Sequence, residues 1–170
     1  MNRSGILPVF YFVAYLLVQV MIFKQVVFFD TAFCFLYIAF ILLLPIETNP
    51  LVLMLVGFLL GFSIDIFYDS LGLHAMSLVL VSYLRNYLLA AITPQGGYDA
   101  GEGPTMASNG LQWFLVYAIP LVFVHHAVLF FVEAGGFGTF WFTMQKIVTS
   151  LLFTISVMLF LQYLSFDRRR

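Results

Sequence analysis

Charge is scarce in this chain. Only 9% of its 170 residues are charged, with seven Lys and Arg against eight Asp and Glu. No basic stripe exists, which excludes the electrostatic footprint of a nucleic-acid binder. Cysteine is nearly absent as well. The single Cys34 cannot close an intrachain disulfide, and it reads as a small buried or lipid-facing residue inside an apolar run. There is no HExxH and no cysteine cluster, so the usual zinc signatures are missing. What the chain does have is apolar surface: 63% hydrophobic residues, 21 phenylalanines and a mean hydropathy of +1.05. A water-soluble domain of this size cannot bury so much, and the composition points to an integral membrane protein.

The first apolar run reaches Phe23 and ends at Lys24-Gln25 without a small-x-small cleavage site. It reads as a retained anchor rather than a signal peptide. A hydrocarbon core needs roughly 20 apolar residues per helix. On that scale the expected fold is all-α, a single domain over 1–170 with six transmembrane helices near 5–23, 27–46, 51–68, 73–92, 111–133 and 140–165. Glu47-Thr-Asn-Pro50 is a turn with Pro50 suited to the first helical turn, and Asp69-Ser-Leu-Gly72 is a tight connection. The third and fourth spans are short, and a hairpin below the membrane surface is the alternative. The one long loop, 93–110, is rich in Gly, Pro and Ser and holds Asp99 and Glu102. Arg3 before the first span and Arg168-Arg169-Arg170 after the last place both termini in the cytoplasm by the positive-inside rule. Arg85 would snorkel toward that side, while Lys24 and Lys146 fall toward the outer one.

Against this background the polar residues inside the spans stand out. Gly57, Gly61, Asp65 and Asp69 recur every fourth residue and form one helical stripe. A carboxylate at that depth is expensive and should face protein or water. Gly57-xxx-Gly61 permits close helix approach, first of all within the chain itself. Asp65 and Lys146 fall at similar depth in the outer half, with His125 and His126 just past the middle of the fifth span, Glu133 at its outer end and His74 at the start of the fourth. An Asp65–Lys146 ion pair with a histidine beside it would relieve the cost of burying both charges. The alternative is a neutral Asp65 and a Lys146 that snorkels outward. His74, Ser77 and Arg85 share a face of the fourth span that would meet the third. Neighbouring helical residues diverge by about 100°, so His125 and His126 do not suit one metal ion. Ser63 lacks the second glycine of a nucleophile elbow, and an i,i+4 Asp65–Asp69 pair is a weak acid–base signal. Neither a metal, a cofactor nor a catalytic residue is expected.

The segment from Gly57 to Leu84, about 28 residues, resembles the signature of MreD, the rod shape-determining membrane protein family. Gly61 and Asp65 match G-x-x-x-D, Leu71-Gly72 match the turn, His74 opens the following helix, and Tyr83 matches its end. His125-His126 followed by Glu133 is similar to the Bacteroidetes branch of the family. Asp69-Ser70 departs from it, since many members carry Ser-Gly there, and a role for Asp69 transfers less readily. The resemblance implies a non-enzymatic, multi-pass protein of the cell inner (cytoplasmic) membrane. It implies a place in the elongation machinery that builds lateral peptidoglycan and sets cell shape, with MreC, the MreB filament system, and RodA with its transpeptidase as partners. It also implies a fold like the S-components of ECF transporters. The rival expectation is an S-component-like binder of a small molecule or membrane lipid, with Asp65, His125, His126 and Lys146 as the pocket. An intramembrane enzyme stands third.

Overall fold

The computed structural model describes residues 3–99, 101 and 103–166, and side chains only from 7 to 164 within them. Glu102, the Arg3 side chain and the Arg168–Arg170 triplet, on which the topology expectation leans, lie outside that description. The chain is mostly helical. Helix α1 (Arg3–Val18) passes into a π-helical turn (Gln19–Phe23), where Lys24 N–H donates to Gln19 C=O at 2.8 Å. A small antiparallel hairpin follows, β1 (Val27–Phe28) with β2 (Ala32–Phe33), in the register Val27 to Phe33 and Phe28 to Ala32. After it come α2 (Ile38–Leu43), α3 (Pro50–Tyr68), α4 (Leu73–Ala91), the short α5 (Met106–Asn109), α6 (Leu111–Glu133) and α7 (Phe140–Phe166).

Among the described residues three helices are long and apolar enough to cross a membrane: Pro50–Tyr68, Leu111–Glu133 and Phe140–Leu164. The stretch Leu7–Phe23 is apolar but shorter. Helix α4 matches α3 in length but carries His74, Arg85 and Asn86. Local signals set the start of α3. Pro50 occupies its first turn and Asn49 Oδ1 accepts from Leu51 N–H at 2.9 Å. Helix α3 packs on α4, α4 on α6, α6 on α7, and α7 on β2. In the 93–110 loop Tyr98 donates to Leu89 C=O at 2.8 Å, and its partial burial raises the phenol above its ordinary pKa.

The expectation of one helix over 27–46 is corrected here. The chain turns sharply at Phe29 and Asp30, both in the left-handed region (φ 53° and 56°), and forms only six residues of helix afterwards. Yet all nine residues from Cys34 to Leu42 are buried. A stretch without full helical bonding survives in an apolar setting only when protein groups satisfy its backbone. Those groups come from distant elements. Ser150 Oγ accepts from Phe33 N–H at 3.0 Å and Thr154 Oγ1 from Phe35 N–H at 3.2 Å. Thr149 Oγ1 donates to Thr31 C=O at 3.0 Å, and Tyr117 OH to Leu42 C=O at 2.8 Å. Gln19 makes three bonds: it accepts from Tyr37 N–H at 3.3 Å and donates to Cys34 C=O at 3.0 Å and Tyr68 OH at 2.8 Å. This segment, only partly helical, lies at the centre of the core, packed among buried residues of α3, α4, α6 and α7.

Candidate functional site

The glycine–aspartate stripe is consumed in joining α3 to α4. A Cβ on Gly61 would lie 2.4 Å from Ala75 Cα, so the two backbones touch at that level. A Cβ on Gly57 would lie 2.6 Å from Ser82 Oγ. The glycine pair thus serves packing inside the chain. Gly72 closes the connection in the left-handed region (φ 86°), where glycine adopts the conformation without strain, and it is also the N-cap of α4. Glycine has no side chain with which to cap. Asp65 supplies the missing cap from the preceding helix: Oδ1 accepts from His74 N–H at 3.0 Å and Ser70 Oγ at 2.6 Å, and Oδ2 accepts from Ala75 N–H at 3.0 Å. The carboxylate is only 4% exposed. It sits at the positive end of the α4 dipole, where an anion is favoured.

The ion pair expected between Asp65 and Lys146 does not form. Backbone N–H groups satisfy Asp65, a class of partner that a depth comparison of side chains overlooks. Lys146 Nζ instead pairs with Glu133 Oε2 at 3.0 Å and lies 4.5 Å from the centroid of the Phe130 ring. His125 and His126 are buried and hydrogen-bond to other groups. Tyr37 OH bridges His74 Nδ1 at 2.6 Å and His125 Nε2 at 2.8 Å, while His126 Nδ1 lies 2.7 Å from Val122 C=O. The Phe35 ring packs against all three imidazoles.

Proton counting orients the Tyr37 bridge. The phenol has one proton to give, so one imidazole must donate to it and the other accept. Among the described residues His125 Nδ1 is buried without a partner. A stranded N–H there costs more than a stranded lone pair on a ring otherwise packed in apolar surroundings, so His125 carries its proton on Nε2. The chain then runs His125 Nε2–H to Tyr37 O–H to His74 Nδ1. Among the described residues no three His, Cys, Asp or Glu side chains converge as metal ligands.

Arg85 also departs from expectation. It does not snorkel; it is fully buried. Its Nε donates to Tyr117 OH at 2.9 Å and its Nη2 to the carbonyls of Leu44 and Pro45. Among the described residues it meets no carboxylate, and the partially negative C-terminal end of α2 takes that place. Ser63 Oγ donates to Leu59 C=O at 2.7 Å, a bond within its own helix. Ser77 does the same toward Leu73 C=O. Tyr83 is exposed and accepts from Tyr87 OH.

On the outer side of the α3–α4 pair lies an open, mainly apolar groove of about 1010 Å³. Met54, Phe58, Phe62 and Ile66 form one wall; Met76, Val79, Leu80 and Tyr83 the other; Asp69, Leu71 and Gly72 close one end. Asp69 caps α3 in the left-handed region (φ 54°), and it is exposed. A second cavity of about 60 Å³ lies between Tyr15, Leu36 and Met158. Neither is lined by His125, His126 or Lys146.

No family model, curated protein or solved structure matches the chain.

The chemistry of the molecule must therefore be read from its own residues. Of the sequence-derived site residues, the structure brings Gly57, Gly61, Asp65, Gly72 and the His74 backbone together in one hairpin. It leaves Asp69 and Tyr83 on the open face, and gives His125, His126 and Lys146 separate partners. Sequence reasoning missed Gln19, Tyr37, Tyr117, Ser150 and Thr154. Their signal was present in part: Gln19 is the one amide inside the first apolar run, and Ser150 and Thr154 lie four apart on α7.

Proposed function

We propose that the chain is a non-enzymatic, MreD-type membrane component of the cell-elongation machinery, binding MreC and regulating lateral peptidoglycan synthesis and cell shape. The observation that carries this reading is the construction of the α3–α4 hairpin. The residues of the signature motif are the ones its geometry depends on: Gly61 for backbone contact, Asp65 for capping α4, Gly72 for the left-handed turn. That coincidence of motif and mechanics supports the family assignment. The engagement of Ser63 and Asp65 by backbone groups supports a role without catalysis.

In this reading six segments cross the inner membrane. They are α1 with its π-helical turn, the broken 27–46 segment, α3, α4, α6 and α7, in an S-component-like arrangement with both termini cytoplasmic. MreB filaments and the RodA–transpeptidase pair are reached through the MreC assembly. A second reading, binding of a lipid or small molecule, is favoured by one observation, the open α3–α4 groove, rather than by a pocket of Asp65, His125, His126 and Lys146.

Co-expression with MreC from the same organism tests the assignment. Solubilised from native membranes, the full chain is expected to co-purify with MreC and to lose it when the MreC membrane helix is replaced by an unrelated one. Clean failure to associate in native membranes contradicts the assignment.

A further inference from the structure

We propose that the α3–α4 groove is the seat of a single transmembrane helix of a partner protein, one that carries a lysine or arginine at the end facing Asp69. The inference deepens the assembly reading above and rests on it, with MreC as the partner.

Shape argues for an elongated occupant. The groove follows α3 from Met54 to Asp69, about 22 Å at the helical rise per residue. That is most of a hydrocarbon thickness of roughly 30 Å. Between the groove's walls lies the small side chain of Ala75, which lets a neighbouring backbone approach. Its walls are bulky and partly exposed, with Phe58 and Phe62 stacked at 5.8 Å between centroids. Knobs from a facing helix fit between such side chains.

Charge selects among elongated occupants. Asp69 lines the groove, is exposed, and makes no ion pair among the described residues. It stands at the C-terminus of α3, where the helix dipole adds to its negative field. Lys24 reaches the same end of α3, but it donates to Phe67 C=O and covers the Tyr68 ring, and it does not line the groove. A cation from outside is therefore the complement. A second copy of this chain, docked through the same face about a two-fold axis along the membrane normal, would place two Asp69 carboxylates at the same depth, and like charges oppose it. An anionic phospholipid would bring its net negative headgroup to the level of Asp69, with the same result. In the six-crossing topology this is the extracytoplasmic end, so the partner helix carries its cation there.

The test uses the full chain with MreC in native membranes. A photoreactive benzophenone amino acid is placed at Phe62, Ile66 or Met76 in the groove, and at Leu152 or Phe160 on α7 as a control face. Crosslinks to the MreC membrane helix are expected from the groove and not from α7. Asp69→Asn should lower the yield about two- to fivefold, the range of an exposed ion pair, while Asp69→Glu retains it. Asp69 makes no described side-chain bond and Asn suits its left-handed backbone, so Asp69→Asn folds as the parent does; Asp69→Glu adds a modest backbone strain, and an unchanged elution profile checks both. Crosslinks to MreC from α7 alone overturn the groove and leave the partner assignment standing. Crosslinks in the groove to lipid or to a second copy, with MreC still co-purifying, also overturn it. Loss of both crosslinks and co-purification overturns the two readings together.

Discussion

The α3–α4 hairpin and the mostly buried segment from Thr31 to Leu44 solve one problem in opposite ways. Each must place backbone polar groups where little water reaches. The hairpin does so locally: two regular helices satisfy themselves, and one carboxylate nine residues before His74 caps the exposed N–H groups at the junction. The segment does so at long range, through Gln19, Arg85, Tyr117, Thr149, Ser150 and Thr154 from four other helices. The lesson concerns the meaning of buried polar residues in an apolar chain. Most of those that invite a catalytic or ligand-binding interpretation are hydrogen-bonded to the protein's own backbone. What remains open to a partner is the apolar groove and the one acid at its end.

Five substitutions test the two solutions. Gly61→Ala forces a Cβ against the Ala75 backbone, which cannot rotate aside, and should cost more than about 3 kcal/mol. Gly57→Ala meets only a serine hydroxyl and should cost far less; equal losses in thermal unfolding in detergent would show that the hairpin is not held by backbone contact. Gln19→Leu removes three bonds from the segment and should cost about 3 kcal/mol, at roughly 1 kcal/mol per bond in a membrane protein. Asp65→Asn keeps the shape but removes one acceptor and the charge facing the α4 N-terminus. A loss of about 2 kcal/mol is expected, with α4 amides near Ala75 exchanging faster than those of α6. The smallest effect belongs to Glu133→Gln, since an exposed pair contributes about 0.5 kcal/mol. A large loss there would mean that the Lys146 pair, and not the backbone-directed bonds, organises this end of the molecule.

The hairpin was legible because its code is local. A four-residue spacing of glycine and aspartate, followed by Leu-Gly, states which face packs and where the chain turns. Even there the partner of Asp65 is not legible: depth along the spans compares side chains of opposite charge, whereas the free N–H groups of α4 take the carboxylate. The segment was illegible for the converse reason. Its composition is as apolar as a spanning helix, and before Pro45 it holds no Gly or Pro to announce a break. What breaks it lies more than 100 residues away, in the hydroxyls of Ser150 and Thr154. Arg85 follows the same pattern: a cation in an apolar helix suggests snorkelling until the carbonyls of Leu44 and Pro45 supply an interior destination.

Cys34 offers the most direct test of the claim that distant side chains hold a helix-poor segment at the centre of the protein. It is the only cysteine, it is 1% exposed, and Gln19 holds its carbonyl. The measurement is the rate of maleimide labelling of Cys34 in the folded protein in mild detergent, scaled to the rate in denatured protein. The parent and Glu133→Gln should stay protected, and Gln19→Leu should label at least about tenfold faster, as loss of roughly 1.4 kcal/mol or more of local stability requires. Rapid labelling of the parent, or a rate unchanged by Gln19→Leu, would contradict the account.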